Sequence, residues 1–345
     1  MAPPSQPISE YVECFESRWH AVHPPAPLEW RPPRNLGSEA IVFDLPAVSS
    51  EYGVLELRAG LVYGVHGWVF GANAAMLPEL SWYGGPNDRI RIPDPLPKPV
   101  HLGGVCLSLV SDWSCRNYSH FLLDGLGRLA LFLATGLSLS DVDHVYCPTP
   151  PTPGVAHYFD RLGIPATKRV WAASSVLVEA DTLFVPSLPS TALTYPDWLP
   201  AFLRRALVRT PAAKPARRLY VSRRGYGRHA VTEHAVERML VEHGFEIYEA
   251  AEQPDQPDDF DQAEIVVGPH GAGLANLAFC RPGTRVVEVV PTDNAHPFYY
   301  SLASAAGLDY GYLVGRSLVN RHPDEFGPSP YDFDIDLDAL ATAVA

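Results

Sequence analysis

Three groups of residues in this chain have types and spacing that could do chemistry. The first lies in NYSHFLLDGLGRLALFLATG, residues 117–136, where His120, Asp124 and Arg128 fall at i, i+4 and i+8 on an otherwise apolar helical pattern. An imidazole with a carboxylate one turn away is how a protein orients a general base, and Asn117 ahead of it has the character of a helix cap. The same three polar residues, set among Phe121, Leu122, Leu123, Leu126 and Leu129, could equally form an internal ion-pair network that holds the helix in place. The second group is Ser222-Arg223-Arg224 with Arg228 close behind, a basic cluster suited to phosphate oxygens or else a solvated basic loop. The third is EIVVGPHGAGLANLAFCRPGTRVVEVVP, residues 264–291. There an apolar run opens into His270-Gly271-Ala272-Gly273-Leu274, with Asn276 just beyond and Glu288 inside the next apolar run. Glycines let backbone approach a ligand, and a helix that starts at them aims free N–H groups at an anion. The chemistry suggested is the holding of a phosphate or diphosphate.

Two other uses of the glycine loop fit less well. A dinucleotide fingerprint wants G-x-G-x-x-G, but Asn276 stands at its third position. An esterase oxyanion loop needs a nucleophile elbow, and no G-x-S-x-G occurs in the chain. A turn that merely joins strand to helix is the plain alternative.

The elements that must position these groups are legible from Arg217 onward. RLYVS (218–222) reads as a strand, 232–244 as a helix closed by glycine, 245–250 as a strand and 256–263 as a short helix. EIVVG is the next strand, GLANLAFC a helix, TRVVEVV a strand, and 296–307 a helix. Alternation at this spacing, with continuously apolar strands, predicts a parallel sheet covered on both faces. Both the arginine cluster and the glycine loop then leave its carboxyl edge, where open α/β sheets bind ligands. Upstream, strands are expected at 39–45, 57–71, 104–110, 144–148, 169–173 and 181–187, with a long helix at 118–135 and a short one around Tyr11 to His20. Prolines, 35 in 345 residues, mark the breaks, including one at 209–216. These readings divide the chain into an N-terminal α/β domain over 1–200, with an irregular leader over 1–35, and a C-terminal one over 201–345 whose last helix or tail packs back on the first.

Composition narrows the class. A net charge of −13 argues against a protein that holds nucleic acid by neutralising its phosphates. Five cysteines without a C-x-x-C suggest neither a disulfide framework nor a zinc site and suit a reducing cytoplasm. The N-terminal sequence lacks signal-peptide character, and no run approaches the ~20 apolar residues of a membrane span, which leaves peripheral membrane association open. The Asp-x-Asp pairs at Asp141/Asp143 and Asp332 to Asp338 read as a turn and an acidic tail, so no metal site is expected.

N-x-x-H-x-x-x-D, the later Y-V-S-R-R, A-x-x-V-V-G-x-H-G-A-G-L-x-N and V-x-E-V-x-P together resemble glycosyltransferase family 61 over residues 100–310. The family includes bacterial capsular-polysaccharide enzymes, plant xylan-decorating enzymes and O-linked N-acetylglucosaminyltransferases. The chain departs from its pattern at Thr232-Glu233, where an Asn-Glu pair is usual, and in the setting of Gln256 among prolines and aspartates. The resemblance implies a GT-B architecture, two Rossmann-like domains facing each other across a cleft. It implies an inverting hexosyl- or pentosyltransferase that needs no metal or other cofactor. A nucleotide-sugar, with UDP-sugars the first expectation, would donate to a hydroxyl of a glycan or polysaccharide. His120 and Asp124 would be catalytic, and Asn117 and Arg128 would support them or the acceptor. Ser222, Arg223, Arg224, Arg228, His270, Gly271, Ala272, Gly273, Leu274, Asn276 and Glu288 would bind the donor. A non-catalytic nucleotide-sugar-binding protein, or a hydrolase with HGAG as oxyanion loop, are the alternatives.

Overall fold

The computed structural model describes residues 4–81, 92–211, 213–319, 322, 325 and 329–345. The chain forms two compact units, one of residues 1–28 and 46–193, the other of 29–45 and 194–345.

The first unit is built on a mixed sheet. Its strands lie in the order Ser17–His23, Tyr52–Tyr63, Leu177–Pro186, Val100–Ser108, His144–Cys147 and Arg169–Trp171, with Trp68–Phe70 folded back as a hairpin on Tyr52–Tyr63. The first two junctions are antiparallel and the last three parallel. Only the second half therefore has the parallel order of a Rossmann-like domain. The β-rich first hundred residues supply the antiparallel half. The segment from Tyr11 to His20 is helical only as far as Cys14, at the end of the helix Ile8–Cys14, and from Ser17 it belongs to the first strand, where Trp19 packs on the core.

The long helix expected at 118–135 is two helical segments. Residues His120–Leu126 form a π-helical turn, in which the Gly127 N–H reaches back five residues to the Leu122 carbonyl, and Arg128–Ala134 is α-helical. A β-carbon on Gly125 would press on Pro148 at 3.2 Å and on the Leu109 carbonyl at 3.4 Å, so the widened turn sits hard against neighbouring backbone. The α-helical part packs on the Tyr52–Tyr63 and Leu177–Pro186 strands, with Phe132 edge-on to Phe184.

The second unit has the predicted alternation. Strands Glu246–Tyr248, Arg217–Val221, Ala263–Pro269, Arg285–Pro291 and Asp309–Ser317 run parallel in that spatial order. The strand Asp309–Ser317 is one the sequence reading missed; its glycines and tyrosines hid a run that the structure buries almost throughout. Two short strands finish that edge, Arg34–Asn35 parallel and Phe333–Asp334 antiparallel. The 39–45 segment is not a strand. The Ile41 N–H donates to the Tyr312 hydroxyl, Phe43 packs on Tyr300 and Tyr312, and Val42 is exposed, so aromatic contacts and a side-chain hydrogen bond replace a ladder. The closing helix Leu337–Val344, capped by the Asp336 carboxylate, buries Leu340, Ala343 and Val344 in this unit's own core beside Phe245. The acidic tail alternates as its sequence suggests, with Phe333 and Ile335 in that core.

Candidate functional site

In the second unit three consecutive features converge on the carboxyl edge of the sheet. Strand Ala263–Pro269 ends at His270, and the 3₁₀-helical segment Ala272–Phe279 follows. Gly268 pairs in register with Glu288 on the next strand, which brings the His270 ring onto that carboxylate: Nδ1 lies 2.6 Å from Glu288 Oε1. The other oxygen, Oε2, accepts from the Tyr310 hydroxyl at 2.6 Å. Both oxygens of this fully buried carboxylate are thus committed inside the protein. The resemblance put Glu288 among the donor-binding residues; here its two oxygens meet His270 and Tyr310. Burial lowers the His270 pKa, opposed by Glu288 and reinforced by the charges of Arg228 and Arg223.

Arg223 and Arg228 come from the loop that leaves strand Arg217–Val221. The Arg223 Nε and Nη2 donate to the carbonyls of Arg228 and Gly227, at 3.0 and 2.7 Å, which fixes the guanidinium. Its Nη1 lies where a β-carbon on residue 271 would have to be, so Gly271 is needed for this approach. Gly273 answers a similar demand, with a β-carbon there 2.7 Å from Val221 Cγ1. Arg228 is the more telling residue. It sits in the left-handed backbone region at φ 62° and is only 8% exposed. Its buried Nε and Nη1 have no hydrogen-bond acceptor among the described residues. Burial and the neighbouring Arg223 charge lower its pKa to about 10, against the pull of Tyr299, Asp293 and Glu288. A buried cation with unsatisfied N–H groups beside a second cation is held against a substantial desolvation penalty. An anion is the partner that removes it.

The remaining residues of the cluster divide. The Ser222 hydroxyl is within reach of Glu233 and Glu237 and accepts from the Arg224 N–H, an internal network on the helix Glu233–Glu242. Arg224 is exposed and ion-paired with Glu237, with Glu249 at 4.0 Å. Glu233, which follows the departure from the family pattern at Thr232, is buried with a pKa raised by desolvation and accepts from the Tyr220 hydroxyl. Asn276 donates to Gln256 at 2.7 Å and to the Gly273 carbonyl, so these two amides brace the glycine loop from beneath. Leu274 is fully buried and anchors the same segment, while Ala272 and Gly273 remain half-exposed at its start, where N–H groups lack intrahelical partners. Tyr310 and Tyr299, which packs on His270 with ring centroids 4.9 Å apart, were not expected. Only their alternation on a strand and on a helix could have signalled them, and tyrosines in such positions are usually core.

In the first unit the π-turn brings His120 Nδ1 to 2.6 Å from Asp124 Oδ2. The carboxylate is fully buried, whereas the His120 side chain is 12% exposed. A hydrogen on Nδ1 is therefore committed to Asp124. Asp124 Oδ1 has no hydrogen-bond donor among the described residues. Asn117 does cap this segment, its Oδ1 accepting from the Ser119 N–H at 2.9 Å. Arg128 leaves the stripe. Because an i→i+5 turn carries more residues than an α-turn, position i+8 no longer shares the face of i and i+4.

Arg128 instead bolts backbone together. Fully buried, it donates to the carbonyls of Pro186, Ser187, Val110 and Leu80, while Asp124 acts on it only through its charge. Burial lowers its pKa to about 9. Arg128→Met is expected to cost roughly 2–4 kcal/mol, since several buried carbonyls lose their donor. Urea unfolding of the variant at pH 7 checks this; an unchanged midpoint would show those contacts to be dispensable.

Residues 118–287 match the family model of Glycosyltransferase 61, a span that contains the His120–Asp124 pair, both arginines and the glycine loop. No curated protein matches the chain. Among the described residues no helix is long and apolar enough to cross a membrane. The chain carries a glycosyltransferase family 61 domain, and it is a glycosyltransferase.

Proposed function

We propose that this enzyme is an inverting glycosyltransferase of the GT-B class that moves a sugar from a nucleotide-sugar, UDP-linked in the first instance, to a hydroxyl of a glycan or polysaccharide. The observation that carries the donor half is Arg228, buried with two N–H groups that lack acceptors among the described residues, beside Arg223 and the start of the 272–279 segment. A diphosphate supplies the acceptor oxygens that this group lacks. The acceptor half rests on the His120–Asp124 pair. His120 Nε2 takes the proton of the attacking hydroxyl, Asp124 fixes the ring and balances the imidazolium, and the oxygen attacks the anomeric carbon from the side opposite the leaving diphosphate. The bond from that carbon to the diphosphate breaks as the new glycosidic bond forms. Arg223, Arg228 and the N–H groups at 272 and 273 stabilise the charge that develops on the departing oxygens.

A thermal-shift screen of UDP-, GDP-, CMP- and dTDP-sugars tests the donor reading, because a ligand of the native state raises the melting temperature by mass action. At least one should give a clear upward shift at millimolar concentration; no shift with any of them would sink the proposal. The arginines should separate in the same assay. Arg223→Ala is expected to remove most of the shift, and Arg224→Ala, whose ion pairs are with Glu237 and Glu249, to leave most of it intact. Loss in both variants would mean that the loop rearranges to use Arg224.

Activity is expected to survive EDTA. The Asp-x-Asp carboxylates already have other work: Asp141 accepts from the Ser138 N–H and hydroxyl, Asp143 from the Val105 N–H, and Asp336 caps a helix. Loss of turnover restored by Mn²⁺ or Mg²⁺ would overturn this.

A further inference from the structure

His270 is built as more than a wall of the anion site. Its Nδ1 is held by Glu288, which is held in turn by Tyr310, so the ring cannot turn and Nε2 is its remaining functional atom. The groups around it come from every neighbouring element. Glu288 and Tyr310 lie on the adjacent strands, Tyr299 on the helix Phe298–Ala305 and His296 just before it, at a ring distance of 6.4 Å. Arg223 and Arg228, from the loop after Arg217–Val221, act on it through their charges. A buried imidazole is thus surrounded by two cations and one carboxylate, and positive charge already acts on the ring before any proton arrives. Burial and the two cations favour the neutral ring, with a lone pair on Nε2.

A lone pair facing phosphate oxygen is repulsive, whereas an Nε2–H donates a charge-assisted hydrogen bond. A diphosphate reverses the balance in two ways: it cancels the field of Arg223 and Arg228, and it offers Nε2 an acceptor. We propose that His270 is a third cation of the diphosphate site, recruited on binding: the protein takes up one proton at His270 Nε2 as the diphosphate enters, with Glu288 holding the opposite end of the imidazolium. Resting on the donor reading above, the inference adds that the leaving group departs against three positive charges. Glu288 and Tyr310 are then positioning residues, explaining why a carboxylate is buried there with both oxygens filled from inside.

The sign follows from linkage. The bound state holds more protons than the free state, so affinity rises as pH falls through the interval between the free and bound His270 pKa values, by up to about tenfold per pH unit for one proton. Isothermal titration of UDP and of inorganic pyrophosphate at pH 7.5, in HEPES and in Tris, reads the uptake directly as a buffer-dependent enthalpy. An uptake approaching one proton is expected in the wild-type protein. His270→Gln should still bind, more weakly, with little uptake. Glu288→Gln keeps the side-chain shape but removes the charge that supports the imidazolium, and it should also lose uptake. Binding with equal enthalpy in the two buffers, or the same uptake in wild type and His270→Gln, overturns the inference while leaving the donor site standing. Binding of neither ligand overturns both. Melting curves on the same preparations identify a variant that fails to fold, in which case the wild-type buffer dependence and the other variant decide.

Discussion

Arg228→Met is expected to leave the empty protein at least as stable as wild type while weakening nucleoside diphosphate binding by about 10²-fold or more. The two halves of that result have one cause. In the empty protein the guanidinium is buried with Nε and Nη1 unsatisfied, close to the like charge of Arg223, so it opposes folding more than it helps. Methionine matches its length, contributes apolar contact and removes the unpaired charge. With a diphosphate present the same N–H groups become charge-assisted donors worth about 1.5–3 kcal/mol each, and two of them account for the loss in affinity. Arg228→Lys should be intermediate, because an ammonium keeps the charge but not the fork. Melting temperature without ligand and UDP affinity, measured on one preparation, separate this from a structural role. A variant that melts several degrees lower with affinity intact would show that Arg228 serves the fold.

The contrast with Arg128 explains how much of the site could be read beforehand. Both are buried arginines near a predicted functional residue, and their one-dimensional signals are alike. What divides them is the fate of their N–H groups: Arg128 finds four carbonyls, and two groups of Arg228 find no acceptor among the described residues. No spacing rule encodes that difference. The second unit's sheet was legible because its strands are buried on both faces and read as continuous apolar runs, and glycines and prolines punctuate them. Its edge was not. The strand Asp309–Ser317 carries glycines, and the 34–35 segment that joins it comes from nearly three hundred residues upstream. The π-turn was invisible for a related reason. His120 and Asp124 meet in either helix type, so the pair was found, but only the backbone register reveals that Arg128 turns elsewhere. Glu288 was rightly singled out as a buried carboxylate, and its partner His270 stood in the same motif, but their pairing depends on the register of two adjacent strands.

His120→Ala and Asp124→Asn are each expected to lower turnover by 10²-fold or more, the scale of lost general-base assistance, with nucleotide affinity little changed. For His120 the argument is direct, since the substitution removes the proposed proton acceptor. For Asp124 it runs through the tautomer. The carboxylate is fully buried and cannot itself meet the acceptor, yet its Oδ2 dictates that the imidazole hydrogen sits on Nδ1 and leaves Nε2 basic. An asparagine can present its amide N–H to Nδ1 instead, which drives the ring hydrogen to Nε2 and blocks the base without altering the packing. Asp124→Asn should therefore keep a near-wild-type melting temperature, because the shape is kept and the oxygen that has no donor among the described residues no longer carries charge. An internal network with no catalytic part predicts the reverse: a destabilised protein whose folded molecules turn over at nearly the normal rate. Melting temperature, UDP affinity and rate, taken together on each variant, decide between them. A variant that folds poorly but transfers sugar at full speed would return the His120–Asp124 pair to the scaffold.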